Sequence, residues 1–286
     1  MKISGATKLC CIIGDPVEHT LSPAMQNAAF NELKLDFVYL AFRVKTNELE
    51  KAMSGVRSLG IHGLNVTMPH KKAVIKYLDR IDSTAKSIGA INTILNDNGK
   101  LEGFNTDGVG ASKALKENSV NLQGKKLVLL GAGGAANSIA FQAAQEVEEL
   151  VILNRTVEKA KKLAKILRGK FDKRIFGNSL SPNCIEEELG NADILINATS
   201  IGMHPHMNQS PVRHELLRPD LCVMDIIYNP LETKLTKEAR ATGAKVISGV
   251  DMLVYQGAAS FEIWTTYPAP VKVMKKAVFN KLLEKG

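Results

Sequence analysis

The residues of this 286-residue chain with the plainest chemistry to offer form a glycine turn, Gly131-Ala132-Gly133-Gly134-Ala135-Ala136. It lies directly between an apolar run and a helix-favouring one, and such a turn suits an anion. Gly131 permits a tight bend, Gly133 omits a Cβ so that backbone can approach a pyrophosphate, and the small Ala136 lets the following helix pack closely on the preceding strand. The helix N-terminus then presents unpaired N–H groups to phosphate. The end of the next apolar run reads Asn154-Arg155-Thr156, with Lys159 a turn later. An NAD site usually places an Asp or Glu there to accept bonds from the ribose 2′-hydroxyl. Here no carboxylate occupies the matching position to repel a 2′-phosphate. Arg155 offers such a phosphate a planar fork, and Lys159 adds a second positive charge. The pattern predicts an NADP(H) site.

Strands and helices must hold these groups. Leu127–Leu130, Leu150–Leu153, Ile194–Ile196, Leu221–Asp225 and Lys245–Ile247 read as short, wholly apolar strands. Helical stretches fall between them, at Ala135–Glu146, from Val157 with an apolar face through Leu167, and at Glu232–Thr242. Buried strands alternating with helices predict a parallel sheet covered on both faces. The first 107 residues also alternate, with strands expected at Lys8–Ile13, Phe37–Phe42, Ile61–Val66 and Ala90–Leu95. Val109–Glu117 reads as a linking helix, Asn118–Gly124 as a polar boundary, and Leu253–Ile263 and Val271–Leu283 as closing helices. The expected fold is α/β in two domains: residues 1–107 with 251–286 forming an α/β substrate domain, and 108–250 a Rossmann-like dinucleotide-binding domain.

Composition excludes several classes. Hydrophobic residues at 45% and charged residues at 23% rule out a disordered or fibrous chain. No apolar run approaches the ~20 residues that cross a bilayer. The start of the chain lacks the apolar segment and cleavage site of a secretory signal, so the expected compartment is the cytoplasm. Cys10, Cys11, Cys184 and Cys222 show no C-x-x-C spacing, and the histidines are scattered, so neither a disulfide framework nor a metal site is expected. The net charge of +8 fits a phosphorylated or carboxylated small ligand as readily as nucleic acid. The basic stretch Lys159–Arg174 places most of its lysines opposite an apolar stripe without interleaved aromatics. It reads as a solvated helix face, and no nucleic-acid partner is expected.

Further motifs line up in order: His19-Thr-Leu-Ser-Pro23, Asn65-Val-Thr-Met-Pro-His-Lys71, Gly89-Ala-Ile-Asn-Thr93, Asn105-Thr-Asp-Gly108, Asn197-Ala-Thr-Ser-Ile-Gly202, Asp225-Ile-Ile-Tyr-Asn-Pro230 and Gly249-Val-Asp-Met-Leu-Val-Tyr-Gln-Gly257. With the glycine turn, this set closely resembles the shikimate dehydrogenase family from about Ile13 to Gly257. The resemblance implies reversible NADPH-dependent reduction of 3-dehydroshikimate to shikimate, a step of aromatic amino-acid (chorismate) biosynthesis. It implies Lys71 as the catalytic lysine and Asp107 as its partner. Thr20 and Ser22 match positions that bind the substrate carboxylate. Thr67, Asn92, Asp107 and Gln256 match those that hold ring hydroxyls, and Tyr228 matches a substrate-contacting tyrosine. Gly131, Ala132, Gly133, Gly134, Ala135, Asn154, Arg155, Thr156 and Lys159 then hold the dinucleotide, with Ile226 and Gly249 lining the nicotinamide.

The residue types suit that chemistry. Hydride arriving at a ketone carbon builds negative charge on oxygen, so a proton donor must lie within hydrogen-bond reach. Lysine brings three donors, and an adjacent aspartate would orient it. Read alone, Lys71 is also an ordinary helix-start lysine, Asp107 a cap for the linking helix, Thr20 or Ser22 a cap for the helix after Pro23, and Asn92 and Gln256 partners of buried backbone. Two positions depart from the family: Thr20 stands where serine is usual, narrowing that end of the pocket, and Asp251 where glycine is common. The other readings are a quinate/shikimate dehydrogenase of relaxed substrate or cofactor specificity, and a non-catalytic NADPH-binding regulator. A monomer and a homodimer are both compatible with the sequence.

Overall fold

A computed structural model of the chain describes residues 3–284. It divides into two compact units, Met1–Asp107 with Val254–Gly286, and Gly108–Leu253. Among the described residues, no helix is long and apolar enough to cross a membrane.

The first unit is built on a mixed six-stranded sheet. Its strands are β1 (Lys8–Gly14), β2 (Phe37–Arg43), β3 (Gly63–Val66), β4 (Arg80–Ile81), β5 (Thr93–Asp97) and β6 (Lys100–Phe104), in spatial order β2-β1-β3-β5-β6-β4. β2, β1 and β3 run parallel, β5 turns antiparallel to β3, and β6 returns antiparallel to β5. The tip joining β5 and β6 is Asn98-Gly99, with φ of 51° and 85°. Two successive positive φ values are what a type I′ hairpin turn requires, and Asn-Gly meets them at least cost. An apolar core of Ile13, Leu64, Val66, Val74, Ile91, Ile94 and Leu101 fills one face of this sheet. On the other, α9 (Gly249–Thr265) brings Trp264 so close to Gly63 that a Cβ there would sit 2.8 Å from the indole.

The second unit carries an all-parallel sheet of β7 (Lys126–Leu130), β8 (Glu149–Asn154), β9 (Arg174–Ser179), β10 (Ile194–Asn197), β11 (Cys222–Asp225) and β12 (Lys245–Ile247), ordered β12-β11-β10-β7-β8-β9. Strand order reverses between β7 and β10. This is the doubly wound dinucleotide-binding topology, whose ligand crevice lies beyond the strand C-termini at the reversal. β7, β8, β10 and β11 are almost continuously buried, as strands covered on both faces must be. Helices α5 (Gly134–Ala143), α6 (Val157–Arg168), α7 (Pro182–Leu189) and α8 (Lys234–Ala241) complete the layers.

The α/β architecture expected from the sequence is present, with differences in detail. β4, β6 and β9 have no apolar run to announce them. β9 is an edge strand in which only Ile175 is buried, and Gly177 approaches the Ala160 backbone of α6 to within 2.5 Å of where its Cβ would lie. The strand expected at Ala90–Leu95 begins at Thr93, and the linking helix α4 begins at Asp107 and ends at Glu117.

Candidate active site

The hairpin of the first unit assembles a polar cluster. Antiparallel pairing sets Thr93 opposite Phe104, so Asn92 just before β5 faces Asn105 and Thr106 just after β6. Asn92 N donates to Phe104 O at 3.1 Å, and Val66 N to Asn92 O at 2.9 Å. Lys71 leaves the turn after β3, where Ile91 N donates to its carbonyl at 2.8 Å. Lys71 and Asp107, far apart in sequence, therefore meet: Lys71 Nζ lies 2.6 Å from Asp107 Oδ2, with side chains 19% and 7% exposed. The pair is shielded from bulk water without being sealed.

Asn92 Nδ2 donates to the other Asp107 oxygen at 2.8 Å and to Thr106 Oγ1 at 2.9 Å, with Gln256 Oε1 at 3.4 Å. The cap of α4 is not Asp107. Asn105 Oδ1 accepts from Asp107 N at 3.1 Å, which leaves the aspartate carboxylate to the lysine and the amide. Nor do Thr20 and Ser22 cap α1 (Ser22–Glu32), which has Leu21 at the cap position and no side-chain cap bond. Thr20 Oγ1 donates to Ser22 Oγ at 3.2 Å and accepts from Ser22 N at 3.3 Å, so the two hydroxyls face each other. Thr67 is half-buried after β3, its methyl pressed on the Cα of Gly14, where an added Cβ would sit 2.3 Å away.

In the second unit the glycine turn lies where strand order reverses. Gly131 has φ of 114°, and a Cβ there would stand 2.8 Å from Ala198 O. Both facts demand glycine for the protein's own sake. Gly133 differs: its Cβ would meet nothing within 4 Å, so the space above it is kept open by the fold. Gly133 caps α5 without a side-chain bond, leaving the first-turn N–H groups exposed to an anion. Ala132 and Asn154 are tied together, Ala132 N donating to Asn154 Oδ1 at 3.1 Å while Asn154 Nδ2 donates to Thr156 O at 2.9 Å. Arg155, Thr156 and Lys159 follow at the surface, and among the described residues neither Arg155 nor Lys159 is paired with a carboxylate. Gly134 and Ala135 open α5, half-buried.

Two loops flank the C-terminal ends of β10 and β11. Ile226 N donates to Asn197 O at 3.1 Å, and Asn197 Nδ2 donates to Asp225 Oδ1 at 3.1 Å. Tyr228 is half-buried, and burial raises its phenol above the usual range. Gly249 opens α9 under this loop, where a Cβ would collide with Ile227 O at 2.3 Å. Asp251 is buried in the same turn, with Asn118 Nδ2 3.5 Å from its Oδ2.

Reading residues by type passed over Tyr39, Asn65, Thr93, Thr106, Asn197, Asp225 and Ser260, all buried and polar or hydroxyl-bearing. Five of them lie inside the motifs quoted above. For Asn65, Thr93, Asn197 and Asp225 the signal is polarity within a strand whose neighbours are apolar.

A parallel doubly wound sheet with this glycine turn, joined in one chain to a domain bearing a lysine–aspartate pair, defines a dinucleotide-dependent oxidoreductase of two domains. Residues 12–94 match the shikimate dehydrogenase substrate binding domain, 112–237 the shikimate/quinate 5-dehydrogenase family, and 249–279 the shikimate 5′-dehydrogenase C-terminal domain. The chain is 48% identical over 281 residues, 98% of its length and 99% of the relative's, to the shikimate dehydrogenase (NADP(+)) of Methanocaldococcus jannaschii. A crystal structure of a shikimate dehydrogenase in complex with NADP+ superposes with a TM-score of 0.93 at 46% identity, covering 98% of both chains. The enzyme of Listeria monocytogenes in complex with shikimate and NAD gives 0.91 at 39% identity, covering 98% of this chain and 99% of that one. The chain belongs to the shikimate dehydrogenase family.

Proposed function

We propose that this chain catalyses the reversible, NADPH-dependent reduction of 3-dehydroshikimate to shikimate. The observation that carries the reading is the meeting of Lys71 and Asp107 at 2.6 Å, under an Asn92 amide committed to the same carboxylate. When bound, NADPH supplies the hydride that reduces the ring ketone. Lys71 gives the oxygen its proton, since an ammonium has three donors and can keep one on Asp107 while presenting another. Asp107 fixes the lysine and accepts from a ring hydroxyl. Asn92, Gln256 and Thr67 hold the other hydroxyls, Thr20 and Ser22 take the carboxylate through their paired hydroxyls, and Tyr228 is a further substrate-binding residue.

The second unit fits the dinucleotide. The open space over Gly133 and the exposed first turn of α5 receive the pyrophosphate, and Arg155 with Lys159 takes the 2′-phosphate. Asn154 serves by holding the turn at Ala132. Ile226 lines the nicotinamide, and Gly249 lets that loop lie close.

The test is the purified protein assayed by NADPH absorbance with shikimate and with quinate, each with NADP+ and NAD+. The proposal expects the highest kcat/KM for shikimate with NADP+. Equal or better turnover of quinate, or of NAD+, would replace it with the relaxed-specificity reading of Thr20 and Arg155.

A further inference from the structure

We propose that Asp225 is a positioning residue for this reaction: its buried carboxylate fixes the turn after β11 that carries Ile226 and Tyr228. The proposal rests on the roles given to those two residues above.

The carboxylate gathers donors from three separate stretches of chain. Oδ1 accepts from Ile227 N, two residues on, at 3.1 Å, and from Asn197 Nδ2 at the end of β10, also at 3.1 Å. Oδ2 accepts from Thr233 Oγ1, just before α8, at 2.7 Å. The directions follow from groups that can only donate or only accept. Thr199 N can only donate, and it lies 3.1 Å from Asn197 Oδ1, so the other end of that amide is the NH2 that meets Asp225. An ionised carboxylate can only accept, and it is the nearest partner of the Thr233 hydroxyl. The other neighbour of that hydroxyl, Thr236 Oγ1 at 3.3 Å, donates its own hydrogen to Thr233 O at 2.9 Å.

The turn is left with little slack. Ile226 N is committed to Asn197 O at 3.1 Å and Ile227 N to Asp225, so both amides are held. α9 also begins so close that a Cβ on Gly249 would lie 2.3 Å from Ile227 O and 2.6 Å from Ile226 C. Asp225 and Asn197 are 0% exposed and Thr233 is 1% exposed, so water does not stand in for a lost partner. An aspartate that accepts from the amide two residues on makes a turn by itself. Here the bond is also charge-assisted, and Asn197 and Thr233 keep the carboxylate aimed at it. Burial pushes that carboxyl up to about 6. At neutral pH the charge thus weakens the fold while it tightens the turn that carries Ile226 and Tyr228.

Asp225→Ala and Asp225→Asn, made in the full chain, test it. kcat and KM for shikimate, KM for NADP+ and affinity for adenosine 2′,5′-bisphosphate are measured well below each melting point. Asp225→Ala leaves Ile227 N without its acceptor, and a hydrogen bond to a charged group converts to a loss of about ten- to a hundredfold in kcat/KM for shikimate. Asp225→Asn keeps an oxygen toward Ile227 N and should lose under about fivefold, as a neutral bond replaces a charged one. Both variants should bind the bisphosphate, which has no nicotinamide, as the parent does. A role confined to stability would lower the melting temperature of Asp225→Ala and leave kcat/KM unchanged, and that result would overturn the proposal. So would an Asp225→Asn as impaired as Asp225→Ala, or bisphosphate affinity lost in step with activity. Should Asp225→Ala fail to fold, Thr233→Val and Thr233→Ser carry the comparison. The first removes the donor to Oδ2 and should lose about three- to tenfold in kcat/KM, and the second keeps it and recovers most of the activity. Equal activity in those two would also overturn the proposal. A parent chain without NADP+-dependent oxidation of shikimate would overturn the reading of the site and the proposal with it, whereas an active parent with an unimpaired Asp225→Ala overturns the proposal alone.

Discussion

Asp225 is a carboxylate placed where a charge is costly, and the cost can be measured. It ends β11 fully buried, accepting from Asn197 Nδ2 and Ile227 N at 3.1 Å each and from Thr233 Oγ1 at 2.7 Å. Burial outweighs those three donors and raises its carboxyl from 3.8 to about 6. The folded chain therefore holds this proton more tightly than the unfolded chain does. Stability from this group is complete below pH 4, is lost as pH rises toward 6, and is constant above. At about 1.4 kcal/mol per pH unit, a gap of about two units costs the folded state about 3 kcal/mol at pH 7.

Asp225→Asn removes the charge and keeps the shape. Its side-chain oxygen can take the Asn197 and Ile227 donors, and its NH2 faces Thr233 Oγ1, which can accept in place of donating. The variant should be more stable than the parent by about 3 kcal/mol at pH 7 and by about half of that at pH 5. Denaturant unfolding of both proteins at the two pH values, without ligands, reads the difference directly. A variant no more stable at pH 7, or one whose advantage is the same at both pH values, would refute the reasoning.

The dinucleotide cradle yields two more expectations. Arg155→Ala should raise KM for NADP+ about ten- to a hundredfold, the worth of a hydrogen bond to a charged group, and leave KM for shikimate unchanged; steady-state kinetics with each substrate varied checks it. Gly131→Ala and Gly133→Ala should separate fold from function. The first, with φ of 114° and a Cβ 2.8 Å from Ala198 O, should unfold at lower temperature, whereas the second should melt as the parent does and bind NADP+ more weakly. Thermal melts and NADP+ titration distinguish the two.

The second unit was the more legible because its strands are buried on both faces and so read as unbroken apolar runs. Its glycine turn also carries a backbone demand visible in residue type. β9 escaped because an edge strand needs few apolar residues, and α6, with its exposed lysines, masked the strand that follows. In the first unit the Asn98-Gly99 turn was a readable hairpin signal flanked by apolar residues. The expected elements leave that signal unused, so β6 and the antiparallel pairing that carries Asn92 to Asp107 are not among them. The lysine and the aspartate were recognisable as motif members. The set of bonds on Asp225 was not, because it depends on which end of the Asn197 amide faces a backbone group. Asn105 shows the same limit: its acceptance of a bond from Asp107 N follows from a turn geometry that spacing alone does not reveal.

The most direct test of the account is turnover by Lys71→Met, which keeps the length of the side chain and removes its donors. Asp107 loses its ammonium partner at 2.6 Å, and the ketone loses its proton source. The account predicts kcat lower by about 10²–10⁴-fold, with the melting temperature and NADPH affinity close to those of the parent. Turnover within a few-fold of the parent would contradict it and take Lys71 out of the chemistry.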